Sequence, residues 1–102
     1  MPEMHFEIRW PDGETQRCYS PSLIIRDYFV PGERYPVETF MVRAREALNI
    51  ASERVKAKYG YYCSSAMDEL KQLEARAEAL EKAEFRGSVE VVRFDPESTP
   101  SG

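Results

Sequence analysis

The residues with the most reactive chemistry in this 102-residue chain are two thiols and one imidazole: Cys18, Cys63 and His5. Cys63 stands in Tyr61-Tyr62-Cys63-Ser64-Ser65, just ahead of a stretch patterned as a helix. A helix N-terminus lowers a thiol pKa toward the thiolate that attacks electrophiles, so Cys63 is the candidate nucleophile or covalent attachment point. Asp68 nearby opposes a thiolate, and the aromatic neighbours indicate burial. A small core residue is therefore the preferred reading of Cys63. Cys18 is structural on the same grounds, because its register points it toward Phe6. His5 would have to serve any Cys-His or Ser-His mechanism, yet its place on the polar side of a strand makes it a solvent-facing sheet residue.

No metal and no cofactor is expected. The two cysteines are far apart in sequence and match no zinc, haem or thioredoxin-like spacing. The five glycines are scattered singly and build no phosphate loop. Asp68, Glu69, Glu74, Glu78 and Glu81 could support acid/base chemistry, but their four-residue steps, with Lys82 following Glu78, are those of a solvated helix face laced with local pairs. A third grouping combines cations with aromatics: Arg43, Arg54 and Lys58 beside Tyr59, Tyr61 and Tyr62. Such residues can neutralise and stack nucleic acid, but 14 Lys+Arg against 18 Asp+Glu give a formal charge of -4, the wrong sign for binding phosphates. Arg and Tyr are also favoured at protein interfaces. The residues leave a solvated surface and a partner-binding surface as the alternatives, and nucleic acid is not an expected partner.

Positioning any of these groups falls to a small set of elements. Met4, Phe6, Ile8 and Trp10 alternate with His5, Glu7 and Arg9, the period of a half-buried strand. Pro11-Asp12-Gly13 predicts a three-residue hairpin loop with a G1 bulge. Counting outward from it places Glu7 opposite Arg17 as an ion pair, His5 opposite Tyr19 and Phe6 opposite Cys18. Ser20-Pro21 reads as an N-cap and first helical residue of a short helix through Phe29, stopped by a type II turn at Val30-Pro31-Gly32. After an extended Tyr35-Pro36 step, Val37, Met41, Ala44, Leu48, Ala51 and Val55 predict a long amphipathic helix ended by Gly60.

Ser65 and Asp68 resemble a capping box for a third helix striped by Ala66, Leu70, Leu73, Ala77 and Leu80. The two long helices form an antiparallel hairpin. Phe85-Arg86-Gly87 breaks the third helix, and Val89, Val91, Val92 and Phe94 predict a strand that joins the N-terminal hairpin. The fold class is α+β: an N-terminal β-hairpin plus C-terminal strand forming a small antiparallel sheet, packed on a two-helix antiparallel hairpin with one extra short helix. Residues 1–94 form a single domain, and 95–102 a flexible C-terminal tail.

With 42% hydrophobic residues the chain can bury a core. Its longest uncharged stretch, residues 59–67, falls far short of the roughly 20 apolar residues of a membrane span. The N-terminal residues have neither the basic nor the apolar region of a secretory signal, so the expected location is the cytoplasm, with reduced thiols. The helical stripes would bundle equally well within one chain or across a homodimer.

Several blocks, in order, carry a resemblance over about residues 1–80: Met1-Pro2-Glu3-Met4, Arg9-Trp10-Pro11-Asp12-Gly13, Cys18-Tyr19-Ser20-Pro21-Ser22, Asp27-Tyr28, Pro31-Gly32, Tyr35-Pro36, Ile50-Ala51-Ser52-Glu53-Arg54-Val55, Lys58-Tyr59-Gly60 and Cys63-Ser64-Ser65-Ala66-Met67-Asp68. Together they resemble the bacterial nitrogen starvation response protein family first named from mycobacteria. The resemblance implies a small cytoplasmic protein of a nitrilase gene cluster, alongside a radical-SAM protein, an acetyltransferase-like protein and a flavoprotein, linked to nitrile or cyanide assimilation. It supplies no catalytic residues. The expected role is that of a non-catalytic accessory protein with a protein partner from the same cluster, and the alternative is a thiol-dependent small enzyme or carrier using Cys63.

Overall fold

The alternation of the first ten residues is realised as strand β1 (Met4–Arg9) paired antiparallel with β2 (Thr15–Ser20) in a computed structural model that describes residues 3–60 and 64–95. The register is the one that the turn dictates, with Glu7 opposite Arg17, Phe6 opposite Cys18 and His5 opposite Tyr19. Trp10 and Glu14 close the loop, the Trp10 N–H donating to the Glu14 carbonyl at 2.8 Å and the Gly13 N–H to the Trp10 carbonyl at 2.8 Å. Gly13 holds φ +94°, the left-handed step that a G1 bulge assigns to glycine.

The chain then departs from the predicted cap. Ser20 is the last residue of β2, and the helix α1 (Ile25–Tyr28) begins five residues later without a side-chain cap. The Ser20 hydroxyl, fully buried, donates to the Ser22 carbonyl and accepts the Ser22 N–H, while the Ser22 hydroxyl accepts the Ile24 N–H. Those bonds use the serines to satisfy a buried turn rather than a helix end. The next turn closes as expected, with the Glu33 N–H on the Val30 carbonyl at 3.1 Å.

The extended step before the long helix is a fourth strand, β3 (Arg34–Pro36). It pairs with β4 (Ser88–Asp95), which in turn pairs with β1, so the antiparallel sheet has the order β2-β1-β4-β3 instead of three strands. β4 includes Asp95, and residues 96–102 of the expected tail lie outside the described residues. A register shift opposite Glu7 and Ile8 leaves Val92 as an extra residue in β4. This bulge turns Phe94 inward after the inward pair Val89 and Val91.

The helix α2 (Val37–Tyr59) packs on the inner sheet face and pairs with α3 (Ser64–Lys82). Gly60 ends α2 with its N–H on the Lys56 carbonyl at 2.7 Å. Ser65 lies inside α3, not at its N-cap. The far end of α3 is also reached earlier than Gly87: Glu84 holds φ +57°, the Glu84 N–H donates to the Glu81 carbonyl and the Phe85 N–H to the Leu80 carbonyl, each at 2.9 Å. This is a Schellman motif with a glutamate in the left-handed position. Gly87 serves a different need, because a Cβ built there would stand 2.7 Å from the Pro11 Cβ.

Between sheet and helices lies one core of Phe6, Ile8, Trp10, Phe29, Phe40, Leu48, Leu73 and their neighbours. Its centre is aromatic: Phe29 stacks on Phe40 at 5.1 Å between centroids, Trp10 meets Phe40 edge-on at 5.8 Å, and Tyr35 meets Phe29 edge-on at 5.3 Å. Because a side chain in the left-handed region strains the backbone, Glu84→Gly is expected to raise unfolding stability by about 1 kcal/mol. Gly87→Ala is expected to lower it, and urea titration of the two variants against the parent chain checks both.

Candidate functional site

Cys18 occupies the core side of β2, fully buried among the residues that face Phe6. Burial, followed by the charge of Glu69, pushes its thiol well above the ordinary range. Its sulfur is thus held protonated and out of reach of solvent, the opposite of an activated nucleophile. Cys63, Tyr61 and Tyr62 lie outside the described residues. His5 sits on the outer sheet face, its ring edge-on to Tyr19 at 5.5 Å, beyond which the Tyr19 hydroxyl donates to the Glu3 carboxylate. Tyr28 is no phenolate either: partial burial first, and then the charge of Glu46 and the hydrogen bond the phenol donates to it, hold the phenol above its usual value.

The outer sheet face is a lattice of ion pairs. The expected Glu7–Arg17 pair is not formed, although the two residues are opposite each other. Glu7 binds Arg93 at 3.1 Å, Arg17 reaches over β1 to Asp95, and Arg9 binds Glu90 at 3.2 Å. The cause is β4 on the other flank of β1, which offers each charge a second neighbour. The hydrogen bond and charge of Arg17 hold the Asp95 carboxyl below the usual aspartate range. Among the described residues, no group of three or more His, Cys, Asp or Glu could hold a metal ion.

The cations predicted for an interaction surface, Arg43, Arg54 and Lys58, lie along α2, the first two about three turns apart and the last about one turn further on. The Arg43 guanidinium donates to the Tyr28 carbonyl at 3.2 Å and covers the Tyr35 ring at 5.5 Å. Arg54 donates to the Ser22 hydroxyl at 3.1 Å. Both arginines therefore brace the segment from Ser22 to Tyr28 against α2. Lys58 and Tyr59 stand at the exposed end of the helix, the ammonium 5.7 Å from the ring centroid.

α3 is anchored from its other flank. The Glu69 carboxylate accepts the Tyr19 N–H at 2.7 Å, and Arg76 binds both Asp12 and Glu14 of the hairpin loop at 2.9 Å. With α3 so placed, a groove opens between the first turns of α2 and the last turns of α3. Its apolar lining is Val37, Met41, Val42, Ala77, Leu80 and Phe85. Val42 and Phe85 are 59% and 45% exposed, unusual for large apolar side chains. Glu38, Glu74, Glu78, Glu81 and Glu84 line its rim against Arg45 and Arg86. Arg45 of α2 is tied to Glu74 of α3 at 3.0 Å, and Lys82 binds Glu78 at 3.2 Å, the local pair that the four-residue spacing on α3 predicts.

Sequence reasoning missed this groove. Its signal was present in two apolar residues that fall off the helical stripes: Val42 among the charges of α2, and Phe85 beyond the end of α3.

These features define a small α+β protein with an apolar groove between two helices, while the Cys18 thiol and the Tyr28 phenol are held in their protonated forms. The chain belongs to the family of the nitrogen starvation-induced protein NitG, whose model matches residues 5–94. Neither the curated proteins nor the solved structures contain a match to it. No helix among the described residues is long and apolar enough to cross a membrane.

Two outcomes test this description. Iodoacetamide at pH 8 is expected to leave Cys18 unmodified in the folded chain and to label it in urea, read by peptide mass spectrometry. The Asp95 carboxyl is expected to titrate below free aspartate, so its pairing contributes stability above the ordinary aspartate pKa that is lost as pH falls through the lowered one. Arg17→Ala should move its NMR titration midpoint upward, toward the ordinary aspartate value.

Proposed function

We propose that this chain is a cytoplasmic accessory protein of bacterial nitrogen metabolism, associated with a nitrilase gene cluster, that acts by binding a protein partner. The family's description as nitrogen starvation-induced supports the physiological setting. The observation that carries the mode of action is the pair of exposed apolar side chains, Val42 and Phe85, in a concave surface between two rigidly packed helices. Concave apolar surfaces with polar rims are where protein segments bury their anchors. The reactive groups in the described part of the chain point the same way, because Cys18 is sealed and Arg43 and Arg54 are occupied with the chain's own backbone and hydroxyls.

Affinity-tagged chain expressed from the intact gene cluster in nitrogen-starved cells is expected to retain a cluster-encoded protein through gentle washing. Retention of none would overturn the accessory role.

A further inference from the structure

The α2–α3 groove has a chemistry that specifies more than an unnamed partner. Its lining residues carry five carboxylates and two guanidiniums, and even with Lys82 counted beside Glu78 two negative charges remain in excess. Glu38, Glu81 and Glu84 are exposed and are the source of that excess, since Glu74 and Glu78 have basic partners on the same rim. Among these charges the lining includes two exposed apolar side chains, Val42 of α2 and Phe85 beyond the end of α3. A helix laid between two antiparallel helices meets such a surface with an apolar stripe and two flanks.

Two occupants are disfavoured by charge. A second copy docking through the same face would set like rims against each other, because a two-fold interface places each patch opposite itself. The residues of this sequence outside the described part, 1–2, 61–63 and 96–102, contain no lysine or arginine. Neither supplies the positive charge that the rim lacks.

We propose that the groove binds a cationic amphipathic helix of a partner protein, its apolar stripe seated on Val42 and Phe85 and its Lys or Arg flanks on Glu38, Glu81 and Glu84. The proposal rests on the docking role argued above and assigns it a surface and a partner chemistry. Electrostatic complementarity of this kind raises association rates and makes binding salt-dependent.

The test uses the full chain, isotopically labelled, with an 18-residue amphipathic helical peptide of leucine and lysine as the probe and a leucine/glutamate peptide of the same pattern as control. Expected are amide shifts confined to the first half of α2, the last half of α3 and residues 84–87. Affinity should weaken at least tenfold with Val42→Asp or with Glu81→Lys/Glu84→Lys, and stay within twofold with the equal charge change Glu33→Lys/Glu53→Lys. Val42 is exposed, so its variant keeps the fold, which the amide spectrum verifies. Equal binding of the leucine/glutamate peptide, equal loss with the control double variant, shifts elsewhere, or self-association abolished by Val42→Asp would each overturn the proposal. If the tagged chain retains its cluster partner equally with and without Val42→Asp, the docking role stands and the groove assignment fails; if the unsubstituted chain retains none, both fail.

Discussion

Everything in this domain is arranged around the stack of Phe29 on Phe40, 5.1 Å apart. Phe29 ends α1 and Phe40 opens α2, and the two rings receive Trp10 from the hairpin, Phe6 from β1 and Tyr35 from β3. Offset and edge-on ring contacts each add about 1 kcal/mol to the burial of large apolar surface. One small cluster thus ties together segments remote in sequence. It also explains the short linkers: α1 needs only four residues, because its task is to deliver Phe29 and Ile25 to the core. The Tyr35 hydroxyl, which accepts the Val30 N–H, fastens the following turn to the same cluster.

The polar chemistry follows from that arrangement. With the aromatic cluster holding sheet and α2 together, the inner face of the sheet is consumed, and Met4, Phe6, Ile8 and Cys18 become core. The outer face is left to charges, which settle into cross-strand pairs with side chains largely exposed. Exposed pairs of this kind each contribute little to stability. They bias the register and keep that face polar.

Much of this was legible in the residues. Period-two alternation and Pro11-Asp12-Gly13 give the same hairpin register by independent routes, so the register was secure. The heptad-like stripe and Gly60 delimit α2 for the same reason. What was not legible depends on distant partners. β3 has three residues and ends on proline, too little pattern to read as a strand without knowing that β4 lies beside it. The ion-pair partners of Glu7 and Arg17 depend on the β4 bulge. Ser20 satisfies a cap pattern locally, but tertiary packing buries it in a strand end. Phe40 and Ala47 lie off the single stripe because α2 faces two neighbours, sheet and α3, and needs a broader apolar face than one helical partner requires. The groove escaped notice for a related reason: Val42 and Phe85 are meaningful only once α2 and α3 are side by side.

The bond from the Tyr19 N–H to Glu69 looks like a minor anchor for α3, yet it shapes how the domain can associate. A sheet border with unpaired amides is a template for another strand. Here α3 runs along the β2 border and occupies one of its amides with a carboxylate. The opposite border is the three-residue β3, which ends on a residue with no N–H to offer. Growth of the sheet by strand addition is thereby discouraged at both margins, and the chain is protected from polymerising through its own backbone.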